Sequence, residues 1–146
     1  MTSSEKIVIS STRFGKIEID KSLVFEFSAP IIGYDKHKFF ALIDNKPDSP
    51  FKWLQSVEDP ELAFPVTLPS YFNIDYTFTI EDADADLLEI KQAEDIMAIN
   101  IVSIPQDCPQ NATVNLLAPI VINTNTNSAM QIILKNTNYQ VKYPLF

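Results

Sequence analysis

The segment Ile-Met-Ala-Ile-Asn-Ile-Val-Ser-Ile at residues 96–104 decides the fold of this chain. Successive side chains of a strand point to opposite faces of a sheet. In this segment both alternating sets are apolar, except at Asn100 and Ser103. A run of this kind is typical of a strand covered on both sides, so we predict a central strand here.

Most other apolar residues of the chain alternate with polar ones at a period of two. Residues 16–20, 76–80 and 139–143 show this alternation, which is typical of strands with one buried face. Gly15 is predicted to turn a first hairpin, and the polar residues 123–127 to form the tip of a later one. The pattern predicts an all-β, single-domain antiparallel barrel-like fold over residues 1–146, with about nine to eleven short strands.

Two segments depart from the strand pattern. Pro65 lies inside a strand-like run, and because proline has no N–H for the ladder, we place that run at an edge or bulge. The segment 81–93 is predicted to be the one short helix. Its residues Ala83, Leu87 and Ile90 have helical spacing, and acids cluster at its start, where the helix dipole favours them.

The composition excludes several classes of function. The 146 residues include only 2 glycines, 1 histidine and 1 cysteine. Gly15 and Gly33 are too far apart to form a phosphate-binding glycine loop. His37 and Cys108 cannot supply the four closely spaced ligands of a zinc site. The chain also lacks a recognisable nucleophile, base and orienting group, and we expect no cofactor and no bound metal.

The run Asp82-Ala83-Asp84-Ala85-Asp86 is the most metal-like pattern in the chain. Calcium loops use carboxylates at alternate positions, but they also need glycine at the sixth position and glutamate at the twelfth. Leu87 and Ala93 occupy those two positions. The run is therefore interpreted as the acidic start of a helix, with cation binding as the alternative.

The formal net charge of −8 bears on partners and location. One arginine and no dense basic cluster argue against direct contact with nucleic acid. An acidic surface suits a basic protein partner, although acidity also serves solubility alone. No secretory signal or apolar run of membrane-spanning length is visible. We therefore expect a cytoplasmic protein that makes no membrane contact. We also expect the protein to be a monomer on its own.

Several stretches together resemble one known family in order and spacing. Residues 51–64 resemble the pattern PFxWLQSxEDPxLAF, residues 101–105 resemble IVTIP, and residues 113–123 resemble TxNLxAPIVIN. Residues 131–134 and 139–145 resemble the closing elements QxIL and YxxxxPL, and Phe14-Gly15 matches the N-terminal hairpin. The family is that of the bacterial flagellar assembly factor FliW.

One departure from the FliW pattern lies after the third strand, where the family has FPxGxPGF. Residues 27–34 read Phe-Ser-Ala-Pro-Ile-Ile-Gly-Tyr, so Gly33 keeps the second glycine and Pro30 replaces the first. Proline cannot adopt the positive φ that glycine can. The loop is therefore expected to differ locally, which affects any partner contact made there rather than the fold.

The resemblance implies a barrel-like regulator that is not an enzyme. Such proteins bind CsrA, a small RNA-binding dimer that represses flagellin translation, and antagonise it away from its RNA surface. They also bind flagellin, so that accumulated flagellin would sequester the regulator and secreted flagellin would free it. The alternative is a carrier or enzyme with a small-molecule pocket inside the barrel, and a weaker one is an interaction module with unrelated partners.

Candidate partner-binding residues are polar side chains within the family-like stretches. They are Gln55, Glu58, Asp59 and Glu61 in a predicted turn, and Asn115 and Asn123 in the later stretch. Each could instead cap a turn or satisfy buried backbone. Phe51 and Trp53, on one face of a predicted strand, are interpreted as core residues or as half of a binding platform.

Overall fold

The computed structural model describes residues 5–44 and 46–146 and is dominated by short strands. Within these residues the strands are β1 Lys6–Ser11, β2 Gly15–Asp20, β3 Val24–Phe27, β4 Phe39–Ile43, β5 Phe51–Ser56, β6 Ala63–Thr67, β7 Ile96–Ser103, β8 Thr113–Val114, β9 Ile120–Asn123, β10 Ser128–Gln131 and β11 Tyr143–Pro144. The α-helix is α1 Asp82–Leu87, and short 3₁₀-helices lie at Lys21–Leu23, Pro69–Phe72, Ala93–Asp95 and Pro109–Asn111.

Seven strands close into a barrel in the order β3-β4-β5-β6-β7-β9-β10 and back to β3. Six of the seven pairings are antiparallel. The seventh joins β10 to β3 in parallel, through Ser128 opposite Glu26 and Ala129 opposite Phe27. The predicted barrel is thus confirmed, but its closure is parallel rather than antiparallel, which is possible because no hairpin joins β3 to β10.

β7 is the central strand that the opening segment predicted. Its first half pairs with β9, and its second half pairs with β6 on one side and β8 on the other. Ile99 points into the barrel core and Val102 into an outer cluster, and both are buried. β8 pairs in turn with β11 and extends the sheet beyond the ring.

Apolar side chains fill the barrel interior. Phe40, Leu54 and Ile120 are fully buried there. A cavity of about 60 Å³ lies beside the core residues Val66 and Ile99. Clefts that hold small molecules typically measure about 300–1,000 Å³, so this interior does not favour the small-molecule alternative.

Two layers cover the outside of the barrel. The β1–β2 hairpin packs Ile9 and its apolar neighbours against Ala41 and Ile43 of β4. The second layer is the segment that follows α1, where Leu88 packs against Val121 of β9 and Met130 of β10. The outer face of the ring is therefore largely apolar and covered.

Gly15 and the polar tip 123–127 have the roles that the sequence predicts, but the run around Pro65 is not at a sheet edge, because β6 pairs with both β5 and β7. Gly15 closes the β1–β2 turn with φ +73°, a conformation that L-residues rarely adopt. The segment 124–127 joins β9 to β10. Pro65 pairs with β5 only, since the β6–β7 ladder begins at Val66, so its missing N–H removes no bond from that ladder.

Three other sequence predictions need correction. The helix is six residues long, and its neighbour Leu88 is buried at 1% exposure while Leu87 is 53% exposed. The predicted helix over 81–93 was therefore too long: Ala83 and Leu87 lie in it but are both exposed, and Ile90 lies beyond its end. Residues 76–80 alternate in exposure but join no ladder, since they pack on a cluster without pairing. In 139–143 only the end is strand, as β11.

The loop around Pro30 is turned by the retained glycine. Tyr34 N–H donates to Ile31 C=O at 2.8 Å, and Gly33 has φ +88°. Positive φ at the third position of such a turn is typical of type II. Pro30 itself is exposed and precedes this turn, so it replaces a glycine outside the bend that needs one.

No helix in the described ranges has the length and apolarity to cross a bilayer.

Leu54→Ala tests whether the barrel core is packed as described. Removing a fully buried leucine from a filled core is expected to lower the free energy of unfolding by about 2–5 kcal/mol. Urea denaturation measures the change. Ile133→Ala is the matched control, because Ile133 is 56% exposed and its loss is expected to change stability by less than about 0.5 kcal/mol. Equal losses in both variants would contradict the described core.

Candidate partner-binding surface

The loop between β5 and β6 is organised from inside by Gln55. Its side chain is fully buried. Its Nε2 lies 3.0–3.3 Å from four loop carbonyl oxygens, those of Ser56, Asp59, Pro60 and Leu62. An amide nitrogen has two hydrogens, so these carbonyls share two donors. Gln55 therefore sets the shape of the loop, and its side chain presents no atom to an approaching partner.

Short polar side chains complete the loop. Ser56 Oγ accepts from the backbone N–H groups of Glu58 and Asp59 at 3.2 and 3.0 Å. Asp59 Oδ1 accepts from the N–H of Glu61 at 2.9 Å. Turns of this type are stabilised when a side chain bonds to backbone two or three residues ahead. Asp59 is half-buried and has a structural partner.

The β1–β2 turn is bonded to this loop. Ser11 Oγ donates to Gln55 Oε1 at 2.8 Å and accepts from the N–H groups of Arg13 and Phe14 at 3.1 Å. Thr12 N–H donates to Pro60 C=O at 2.8 Å. Two loops that are far apart in sequence therefore form one surface.

Glu58 and Glu61 are the exposed acids of this surface. The Glu58 carboxylate accepts from the N–H groups of Lys38 and Phe39 at 2.9 and 3.0 Å, which ties the loop to the start of β4. The Glu61 carboxylate makes no hydrogen bond or ion pair with the described residues, and Glu61 lines an open groove together with Arg13 and Pro60. Of the predicted contact residues, Glu61 is the most available to a partner.

Asn123 lies away from this surface and is buried. Its Nδ2 donates to the C=O of Leu88 at 2.7 Å and of Glu89 at 3.2 Å, and its Oδ1 accepts from the N–H of Asn125 at 2.9 Å. It thereby joins the end of β9 to the segment after α1. This arrangement matches the alternative interpretation, in which the residue satisfies buried backbone.

Asn115 caps a turn in a third place. Its Oδ1 accepts from the N–H groups of Leu117 and Ala118 at 3.1 and 3.0 Å. The structure thus brings together Gln55, Glu58, Asp59 and Glu61, but not Asn115 or Asn123. A partner contact by any of the six stays a prediction.

A buried polar network surrounds the Asn115 backbone. Tyr76 Oη donates to Leu116 C=O at 2.6 Å, while Asn100 Nδ2 donates to Tyr76 Oη at 3.3 Å and to Asn115 C=O at 2.9 Å. Burial raises the pKa of Tyr76 to about 12, against a smaller lowering by the Asn100 hydrogen bond and with a further rise from Tyr139. At neutral pH this network is uncharged.

Sequence reasoning did not assign Arg13 to a site. Its guanidinium carbon lies 4.0 Å from the ring centroid of Trp53, and the Phe14 ring meets the same indole edge-on at 6.2 Å. Arg13 and Trp53 are the one arginine and the one tryptophan of the chain. That each residue type occurs once was the only feature of the sequence that set these two residues apart. Their contact is visible only in the tertiary structure.

Among the described residues, no group of three or more histidine, cysteine, aspartate or glutamate side chains is placed to hold a metal ion. Asp82 and Asp84 lie in the first turn of α1, where acids favour the helix dipole.

Comparison with known proteins identifies the family. Residues 7–145 match the sequence model of the family described as FliW protein. The chain belongs to the FliW family. It is 41% identical over 136 residues to the flagellar assembly factor FliW of Pseudothermotoga lettingae, covering 93% of this chain and 86% of that relative. The FliW of Caldanaerobacter subterraneus subsp. tengcongensis is 37% identical over 138 residues, covering 94% and 91% respectively.

A solved FliW has the same fold. The crystal structure of the flagellar assembly factor FliW matches this chain with a TM-score of 0.86 and 34% identity, covering 96% of this chain and 97% of that one. These comparisons confirm the family resemblance and support a role in flagellar assembly. The FliW relatives are named assembly factors and not enzymes.

Gln55→Met tests the internal support of the surface loop. Methionine has a similar volume but no amide, so several buried loop carbonyls and the Ser11 hydroxyl would lose their partner. Each buried polar group left without a partner costs about 1–3 kcal/mol. We therefore expect the free energy of unfolding to fall by at least that amount. Hydrogen exchange should also quicken at residues 57–62. Gln110→Met, at an exposed position, is the control, and equal effects of both variants would refute the support role.

Tyr76 is expected to lose its proton at a higher pH in the folded protein than in the unfolded chain. In the unfolded chain it loses its proton near pH 10, and in the folded protein at about 12. The folded state therefore binds more protons in this window, so the associated stability is complete below pH 10 and is lost as the pH rises towards 12. Ultraviolet absorbance of the tyrosinate ion measures the titration.

Tyr76→Phe should remove the late component of that titration, near pH 12. Tyr143→Phe, at an exposed position, should leave it in place. Survival of the late component in Tyr76→Phe would show that another tyrosine carries the raised pKa.

Proposed function

We propose that this chain is a protein-binding regulator that binds CsrA, antagonises its repression of flagellin synthesis, and binds flagellin in a partner switch. The observation that carries the proposal is membership of the FliW family along residues 7–145. A filled barrel interior supports a function performed by the surface rather than by an internal pocket. The protein is accordingly proposed to have no enzymatic activity.

The switch works through linked binding to one rigid scaffold. When flagellin accumulates, it occupies the regulator and CsrA stays active. When flagellin is secreted, the freed regulator captures CsrA and translation resumes. Both partners meet the regulator inside the cell, so its place of action is the cytoplasm. A switch of this kind requires only that the two partners exclude or weaken each other's binding.

CsrA inhibition has a physical basis in the charge of this chain. A ligand shifts RNA binding only by favouring one state of CsrA, or by blocking or repelling the RNA. This chain has a formal net charge of −8, and bound beside an RNA-binding face it repels phosphates. Direct RNA binding by the chain itself is not part of the proposal.

The surface that contains Glu58 and Glu61 is the proposed contact for a basic partner. Glu61 has no ion pair within the described residues, so a partner lysine or arginine gains a carboxylate that no internal cation occupies. Gln55 supports this surface by holding the loop in one conformation, which lowers the ordering cost of binding.

The decisive experiment titrates the purified protein against CsrA and, separately, against flagellin by calorimetry. We expect binding to each at micromolar concentration or below, and displacement of CsrA by flagellin. No heat of binding with either protein at these concentrations would overturn the proposal. Simultaneous full binding of both would leave two partners but no switch.

Salt separates electrostatic antagonism from steric antagonism. The Debye length falls from about 30 Å at 0.01 M salt to about 8 Å at 0.15 M. We therefore expect release of RNA from CsrA by this protein to weaken over that range, at a saturating level of the complex. Glu61→Gln should weaken CsrA binding, and Glu89→Gln, an exposed acid on a different segment, is the matched control. Antagonism that is unchanged by salt would reject the electrostatic part.

A further inference from the structure

Arg13 lines a second groove in addition to the one that it shares with Glu61. We call the β5–β6 loop that contains Glu58 and Glu61 the acidic loop. The second groove is open to solvent, has a volume of about 560 Å³ and lies between the β1–β2 turn and the outer face of β5. Its lining residues, which we call the basic groove, are Arg13, Phe14, Lys46, Ser49, Phe51, Trp53 and Ile104. A volume of this size is within the range of about 300–1,000 Å³ that is typical of ligand-binding clefts.

The charge of this groove is opposite to that of the protein. Its lining contains two cations, Arg13 and Lys46, and no acid, in a chain whose formal net charge is −8. Neither cation forms an ion pair with a described residue. The nearby carboxylate of Asp44 is already paired with Lys52 at 3.0 Å. Within the described residues, the lining of the groove therefore has a positive charge that no ion pair neutralises.

The floor of the groove is aromatic. Phe51 and Trp53 are alternate residues of β5 and are both only half-buried. Alternate residues of a strand lie about 6.8 Å apart along its axis. Alternate side chains of an extended peptide have the same spacing, so two of its side chains could contact both rings. Arg13 is stacked on Trp53, and this contact holds its guanidinium at the groove.

We propose that the basic groove binds an extended protein segment that combines acidic residues with aromatic or aliphatic ones. The apolar side chains lie on Phe51 and Trp53, and the carboxylates pair with Arg13 and Lys46. An arginine fork that is already oriented loses little freedom on binding a carboxylate. Opposite potentials also select an acidic segment against a basic one.

Single-stranded nucleic acid also stacks on aromatic rings beside cations. Two cations are too few for it here, because each nucleotide adds a phosphate and the body of the protein is strongly acidic. The inference goes beyond the proposed function, since it names a surface and a ligand chemistry that hold whichever protein supplies the segment. It also concerns a face other than the Glu58–Glu61 loop.

The test uses a positional-scanning library of blocked hexapeptides that lack tryptophan and tyrosine. Trp53 is the only tryptophan of the chain and lies in the groove, so its fluorescence reports occupancy directly. We expect the largest emission changes from pools with aspartate or glutamate next to phenylalanine or leucine. Preference for neutral or basic pools, or no change with any pool at millimolar concentration, would overturn the proposal.

Charge variants then locate the site with the best peptide, labelled for fluorescence anisotropy. Arg13→Gln should raise the dissociation constant by about tenfold or more, as expected for a charged hydrogen bond. Lys91→Gln makes the same change of net charge at an exposed position outside the groove and should alter it by less than about twofold. Thermal unfolding of both variants checks that the fold is kept.

Equal weakening by both variants would show a general charge effect and reject the groove. An octa-uridine oligonucleotide is the second probe. Tighter binding of this oligonucleotide than of the best peptide, with the same loss in Arg13→Gln, would assign the groove to nucleic acid and overturn the proposal.

Discussion

Closure of the seven-strand ring is the constraint on which the rest of this structure depends. The short parallel contact between β10 and β3 joins the two ends of an otherwise antiparallel sheet. Without it, two strand edges would have unpaired backbone groups, and the apolar interior around Phe40 and Leu54 would open to water. With it, the ring has an inner face filled by side chains and an outer face on which other segments pack.

Buried polar side chains connect the covering segments to this ring. Gln55 of β5 holds the acidic loop and, through Ser11, the first hairpin turn. Asn123 of β9 holds the segment that follows α1, and Asn100 of β7 holds the backbone after β8. Each of these side-chain amides lies on a barrel strand and forms hydrogen bonds with the backbone of a loop. The hydrogen bonds fix these loops to the barrel. The covering segments therefore form a surface that is ordered before any binding.

The surface of this FliW family member is divided by charge. The acidic loop with Glu58 and Glu61 lies on one side of Arg13, and the basic groove over Phe51 and Trp53 lies on the other. Such a division allows one small domain to offer different chemistries to different proteins. The filled barrel core stabilises the domain and does not include Glu61, Arg13 or Trp53. Binding at the acidic loop or at the basic groove therefore does not require the barrel core to rearrange.

The sequence predicted the class of fold better than its details. The two-sided apolar run at 96–104 predicted the central strand, and Gly15 predicted the first hairpin, because these signals depend on local periodicity and backbone freedom. The helix phase was wrong: burial of Leu88 rather than Leu87 depends on where a short helix ends against β9 and β10. Residues 76–80 alternate like a strand, yet whether they pair depends on neighbours that periodicity does not specify.

The candidate site shows the same limit. A polar residue in a family-like stretch looks alike in sequence whether it faces solvent or backbone, so Gln55, Glu58 and Glu61 could not be told apart. Tertiary structure buries the first, bonds the second to the start of β4, and leaves the third available. By itself the sequence determined an acidic, strand-rich chain without catalytic constellations and, through its motifs, the family. Only the tertiary structure decided which strands close the barrel and that Arg13 meets Trp53, because both depend on contacts between residues far apart in the chain.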